Sequence, residues 1–179
     1  NGSNYYDITP IRATTSAGDV TFSASNGSST ITVTDTSHGA VTGDFVTFSG
    51  AATLGGLVTA NVLNQEYQID LVTSANVYTI TAKDTSGDAV TANSSDSGNG
   101  GSSVVGAYQI NSGLDVYVRS TGWGVNTWGA GTWGSEADLS LINQLRLWSI
   151  DNFGDDTIAA PRGGALYFWD KSDGLTTRA

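Results

Sequence analysis

Few side chains in this sequence are of a kind that could do chemistry, and their spacing narrows what the chemistry would be. His38 is the sole histidine, in Thr36-Ser37-His38-Gly39, with Asp35 and Asp44 as its near acids. A general base or a metal site would need a fuller constellation around it. Two runs gather carboxylates about glycine: Asp84-Thr85-Ser86-Gly87-Asp88 and Asp151-Asn152-Phe153-Gly154-Asp155-Asp156. Oxygen-rich loops of that kind hold calcium, and Asp151, Asp155 and Asp156 are the candidate metal ligands. Neither run has the twelve-residue spacing of an EF-hand, and Asp and Asn also favour turns by bonding their own backbone. A hydrolase working through a pair of carboxylates is conceivable from composition, but no pair stands out. The sharpest feature is Trp123, Trp128 and Trp133, each followed by Gly and spaced by five residues. Such rings stack on sugars or plug apolar pockets, so these three are the candidate binding residues for a glycan or a neighbouring subunit.

The elements that must position these residues are strands. Gly fills 23 of 179 positions, Cys and Met are absent, and 7 basic against 17 acidic residues leave a formal charge of −10. That charge repels phosphate backbones and anionic lipid, so nucleic acid and membrane surfaces are excluded as general partners. No apolar run approaches the length of a membrane span, and without Cys there is no disulfide and no thiolate. A translated chain begins with Met and this one begins Asn1-Gly2-Ser3, so a processed product or a piece of a longer polypeptide is expected.

Period-two alternation marks Val20–Ala24, Thr30–Thr34, Asp44–Ser49, Glu66–Val72 and Val77–Ala82 as five strands, with Asn26-Gly27 as a hairpin turn needing positive φ. Residues 84–103 lose periodicity and read as a flexible polar linker or loop. Strands resume at Val104–Ile110 and Leu114–Arg119. The lone helix candidate is Glu136–Gln144, with Ser135 as N-cap. From Leu145 the chain reads strand, turn, strand, turn, strand up to Ala165–Asp170, the pattern of one propeller blade.

Two stretches resemble virion proteins of tailed phages. Ile31-Thr32-Val33-Thr34, His38-Gly39, Gly43-Asp44, Val46 and Tyr78-Thr79-Ile80 are similar to the small β-barrel modules of those proteins and to the FCCH half-domain of ubiquitin-activating enzymes. This likeness covers roughly residues 19–82 and implies that His38 opens a tight connection, its imidazole bonding local backbone. Trp148 to Asp156, Pro161-Arg162-Gly163-Gly164, Tyr167 to Asp170, the opening Tyr6 to Arg12 and the Trp-Gly run resemble large tailed-phage structural proteins.

The resulting expectation is an all-β protein with at most one short helix, in which a small β-barrel or sandwich module is inserted between strands of an antiparallel, propeller-blade-like sheet. Residues 1–13 form an edge strand of that sheet, 14–83 the module, 84–103 the linker, and 104–179 the blade-like sheet with its Trp-Gly loop. The resemblance supplies no catalytic residue and no cofactor. It implies a non-enzymatic structural protein of the extracellular particle, in the tail or adaptor region, whose partners are other copies of itself and other virion proteins. An adhesin module that binds host-surface glycan through the Trp loop is the alternative, and a glycan-cleaving enzyme a third.

Overall fold

The computed structural model describes residues 6–112 and 147–179. These form two compact units, one spanning Thr9–Asn111 and the other lying within Ser112–Thr177.

The larger unit is a two-sheet arrangement. Strands β1 (Ile11–Thr14), β2 (Thr21–Ala24), β3 (Thr30–Thr34), β4 (Phe45–Ser49), β5 (Glu66–Gln68), β6 (Leu71–Ser74), β7 (Val77–Thr81), β8 (Asp96–Asn99) and β9 (Val105–Gln109) are joined by loops and one helical turn, α1 (Ala60–Leu63). One sheet runs β1-β9-β4-β5 and the other β6-β7-β3-β2-β8, and the strand pairings within them are antiparallel. The sheets are separate among the described residues, so the architecture is a β-sandwich and not the closed barrel that the module resemblance offered as one option. The reason for the layering is the alternation itself. In β3 Ile31 and Val33 are buried while Thr30 and Thr34 face solvent, and Phe22, Val46, Phe48, Tyr78, Ile80 and Tyr108 supply the remaining inward positions of their strands.

The Asn26-Gly27 hairpin is present, with Gly27 at φ 81° and β2 paired to β3 from Thr21↔Thr34 to Ala24↔Ile31. The run from Glu66 to Val72 is not one strand. It divides into β5 and β6, which belong to different sheets, and the buried Ile69 sits where the chain crosses between them. Sequence periodicity passes over the crossing because apolar residues recur at Tyr67, Ile69 and Leu71, although the inward alternation itself ends at Ile69 and Leu71 is exposed.

The polar tract at 84–103 also differs from its linker reading. Within it β8 pairs with β2, and Ser23 Oγ accepts from Gly98 N at 2.9 Å. A ladder is made by backbone groups, so Asp-Ser-Gly-Asn can close a sheet edge although its side chains favour loops. Likewise β9 pairs with β1 on one side and β4 on the other, which puts both strands in the sandwich and not in a blade-like sheet. The one-turn α1 was without a sequence signal: Thr59 at its N-cap makes no side-chain cap bond.

In the second unit β10 (Trp148–Phe153), β11 (Asp156–Pro161) and β12 (Tyr167–Trp169) form an antiparallel meander. It turns at Gly154-Asp155, and β10 runs on through Asp151, Asn152 and Phe153 up to that turn. Leu114–Arg119, the Trp-Gly run and the Glu136–Gln144 helix lie outside the described residues.

Candidate functional site

The most elaborate polar cluster lies at one end of the sandwich. Asp35 is there by periodicity: it follows β3, and the two-residue repeat that turns Ile31 and Val33 inward turns the next odd position inward too, leaving Asp35 only 4% exposed. Tyr78 projects from β7 in the five-stranded sheet, and Tyr108 from β9 in the four-stranded sheet. Their hydroxyls meet 2.8 Å apart across the interior, and Tyr108 donates to Asp35 Oδ2 at 2.6 Å. A phenol has one proton, so Tyr108 receives its bond from Tyr78, and the chain runs Tyr78 to Tyr108 to Asp35. Hydrogen bonds aligned in one direction polarise each other, and this chain ties one sheet to the other.

His38 completes the cluster. The backbone turns through Ser37 at φ 57° and Gly39 at φ 62°, which brings the ring back over the strand ends. Ala40 N donates to His38 Nδ1 at 3.0 Å, so the ring proton is on Nε2, which donates to Ser74 O at 3.2 Å. The ring meets Tyr78 edge-on at 4.9 Å and stacks parallel to Tyr108 at 6.4 Å. Both nitrogens are occupied by backbone, as the module resemblance implied, and neither is free to take a proton from a substrate. Arg12 donates to His38 O at 3.0 Å, and its guanidinium stands 5.2 Å from the centre of the Tyr108 ring. Beside these residues a cavity of about 240 Å³ opens, bounded by the β1–β2 connection (including Ser16 and Asp19), the β3–β4 turn and Tyr108.

The tyrosines are held neutral. Burial raises the Tyr78 hydroxyl well above the usual range for tyrosine; burial does the same for Tyr108, reinforced by the neighbouring Tyr78 and by donation to Asp35. Tyr67, whose hydroxyl is bonded to Val62 O, is also raised, again chiefly by burial. A folded-state pKa above the unfolded value means the unfolded chain releases protons first as pH rises. The contribution of these groups to stability is therefore complete below about pH 10 and declines above it. In an alkaline titration these three tyrosines are expected to ionise together with loss of the native circular dichroism signal. Smooth independent ionisation of all seven, with the fold intact, would contradict their burial.

The other candidate residues are placed elsewhere. Asp44 accepts from Val41 N and Asn111 Nδ2 and stays outside the cluster. Asp84 Oδ1 accepts from Ser86 N at 2.8 Å and Asp88 N at 3.0 Å, a turn that satisfies itself. Asp155 pairs with Lys171 Nζ at 2.9 Å, Asp156 accepts from Lys171 N, and Asp151 accepts from Asn152 N. No group of three His, Asp or Glu able to hold a metal occurs among the described residues, so these three aspartates are not brought together as ligands. Trp123, Trp128 and Trp133 lie outside the described residues. Sequence reasoning noted Asp35 only as an acid near His38 and gave no site role to Tyr78, Tyr108 or Arg12. The available signal was an acid at an inward position directly after Ile31 and Val33.

No family model matches the chain, and no curated protein matches it. Among solved structures it is similar to a phage phi92 endosialidase at 20% identity and a TM-score of 0.44, over 57% of this chain and 13% of that one. The chain thus spans a small part of that protein's length.

Proposed function

We propose that the protein is a non-enzymatic structural component of a tailed-phage virion, of its tail or adaptor region, and that it works by assembling with further copies and with other virion proteins. The virion part of this reading rests on the sequence resemblance at Trp148 to Asp170 and at Ile31 to Ile80. Support for assembly comes from the β10-β11-β12 meander. Directly opposed residues share a face, so the pairings put Ile150, Ala159, Tyr167 and Trp169 on one side, and Phe153, Ile158 and Phe168 on the other. Ile150 is 67% exposed, Phe153 68% and the adjoining Leu166 69%. Among the described residues this three-stranded sheet, with apolar residues on both sides, is short of cover, and neighbouring subunits are the natural source of it in an assembling particle.

Light scattering across a concentration series tests this. A mass above 18.5 kDa is expected, rising with salt because a charge of −10 opposes association until screened while apolar burial is not weakened. Ile150→Ser combined with Phe153→Ser is expected to return the protein to monomer without unfolding it. A wild-type chain that stays monomeric at every concentration and salt overturns the assembly reading.

A further inference from the structure

The cavity at the end of the sandwich has a chemical polarity of its own, independent of assembly. Asp35 borders it and is nine-tenths buried, and one of its oxygens, Oδ2, is taken by Tyr108. The other, Oδ1, accepts no hydrogen bond from the described residues and keeps contact with solvent where Asp35 lines the cavity, and the carboxylate has no ion pair among the described residues. The Arg12 guanidinium at the Tyr108 ring is engaged by His38 O and makes no ion pair with Asp35, and a largely desolvated carboxylate gains from a directly paired cation. At the rim Asp19 adds a second negative charge, and Thr14, Ser16, Thr36 and Ser37 contribute oxygen acceptors.

The geometry points to this cavity as a binding site for an alkylammonium group, with Asp35 as its buried counter-charge. Three features choose an ammonium over other cations. Tyr108 already occupies one Asp35 oxygen, so the two-pronged pairing that a guanidinium favours is blocked, whereas a point donor needs only Oδ1. Both His38 nitrogens are engaged by backbone, and no metal-binding trio forms among the described residues. A neutral alcohol would satisfy the oxygen but leave the charge. The ammonium could be carried by a lysine side chain or by a free amine; the chemistry at Asp35 is the same.

The test is a titration of the whole ¹⁵N-labelled chain with n-butylammonium chloride. Saturable movement of the Ser16, Thr36, Ser37 and His38 amide signals is expected, while n-butanol at equal concentration and sodium chloride at equal ionic strength leave them in place. Methylguanidinium is expected to bind more weakly than butylammonium. Asp35→Asn should abolish the response with the rest of the spectrum unchanged. Should Asp35→Asn disturb the fold, the exposed Asp19→Asn decides, with an expected two- to fivefold weakening, the size of one partly screened charge pair. Parallel titrations with spermidine and with a capped Gly-Lys-Gly peptide separate the two sources by which saturates at lower concentration. No saturation with butylammonium, equal movement with n-butanol, or an unaltered response in Asp19→Asn overturns the assignment.

Discussion

Phe22→Ala is expected to remove about 3–5 kcal/mol from the stability of the sandwich, a third or more of what a typical domain has. The size follows from where the ring lies. Phe22 belongs to β2 in the five-stranded sheet, and it meets Phe48 of β4 in the four-stranded sheet edge-on, with centroids 5.0 Å apart. It is fully buried, and it also packs directly on Gly100, where an added Cβ would come 2.3 Å from Phe22 Cδ2. Truncation therefore opens a cavity between the sheets and removes the cover from the loop that follows β8. Urea denaturation followed by tryptophan-independent circular dichroism measures the loss. The exposed Phe153→Ala serves as the contrast, with less than about 0.5 kcal/mol expected for the monomer. A Phe22→Ala cost below about 1 kcal/mol would mean that the two sheets do not share this core.

Gly50→Ala is the second large effect, expected at about 2–5 kcal/mol. Gly50 follows β4 at φ 72°, and a Cβ there would lie 2.1 Å from Ser103 O and 2.9 Å from Ser103 C. Both are backbone atoms just ahead of β9, where Ser49 pairs with Val105, so the end of the β4–β9 ladder would have to part. The left-handed conformation alone costs a residue with a side chain about 1–2 kcal/mol, and overpacking adds about 1–3 kcal/mol. Gly27 separates the two contributions. It has φ 81° with nothing within 4 Å of a built Cβ, so Gly27→Ala is expected to show the conformational part only. Equal losses at Gly27 and Gly50 would show that the close approach at Ser103 contributes nothing.

These residues also show how much of the fold was readable in advance. The alternation in Phe22, Ile31, Val33, Val46, Phe48, Tyr78 and Ile80 identifies strands and their inward faces, because a strand repeats every two residues whatever it pairs with. It does not identify the partner. Thr15, just past β1, lies 91 residues from Gly106 of β9, whose N donates to Thr15 Oγ1, and nothing local announces the pairing of those strands. For the same reason the tract containing Asp96–Asn99 reads as a linker: side-chain propensity is local, while the free edge of β2 that recruits those residues exists only after the hairpin has folded.

The candidate site divides along the same line. His38 in a tight connection, bonding backbone, was implied by the likeness of His38-Gly39 to the small β-barrel modules. The buried chain of Tyr78, Tyr108 and Asp35 was not, since its three members come from β7, β9 and the end of β3 and meet only when the two sheets close on each other. An all-β, acidic protein with inward-facing apolar rows follows from composition and period, which are properties of the chain. Which strands share a sheet, which glycines touch backbone, and which buried acid is left with an unpaired oxygen beside a cavity were decided by the tertiary structure alone, because each depends on atoms brought together from distant parts of the chain.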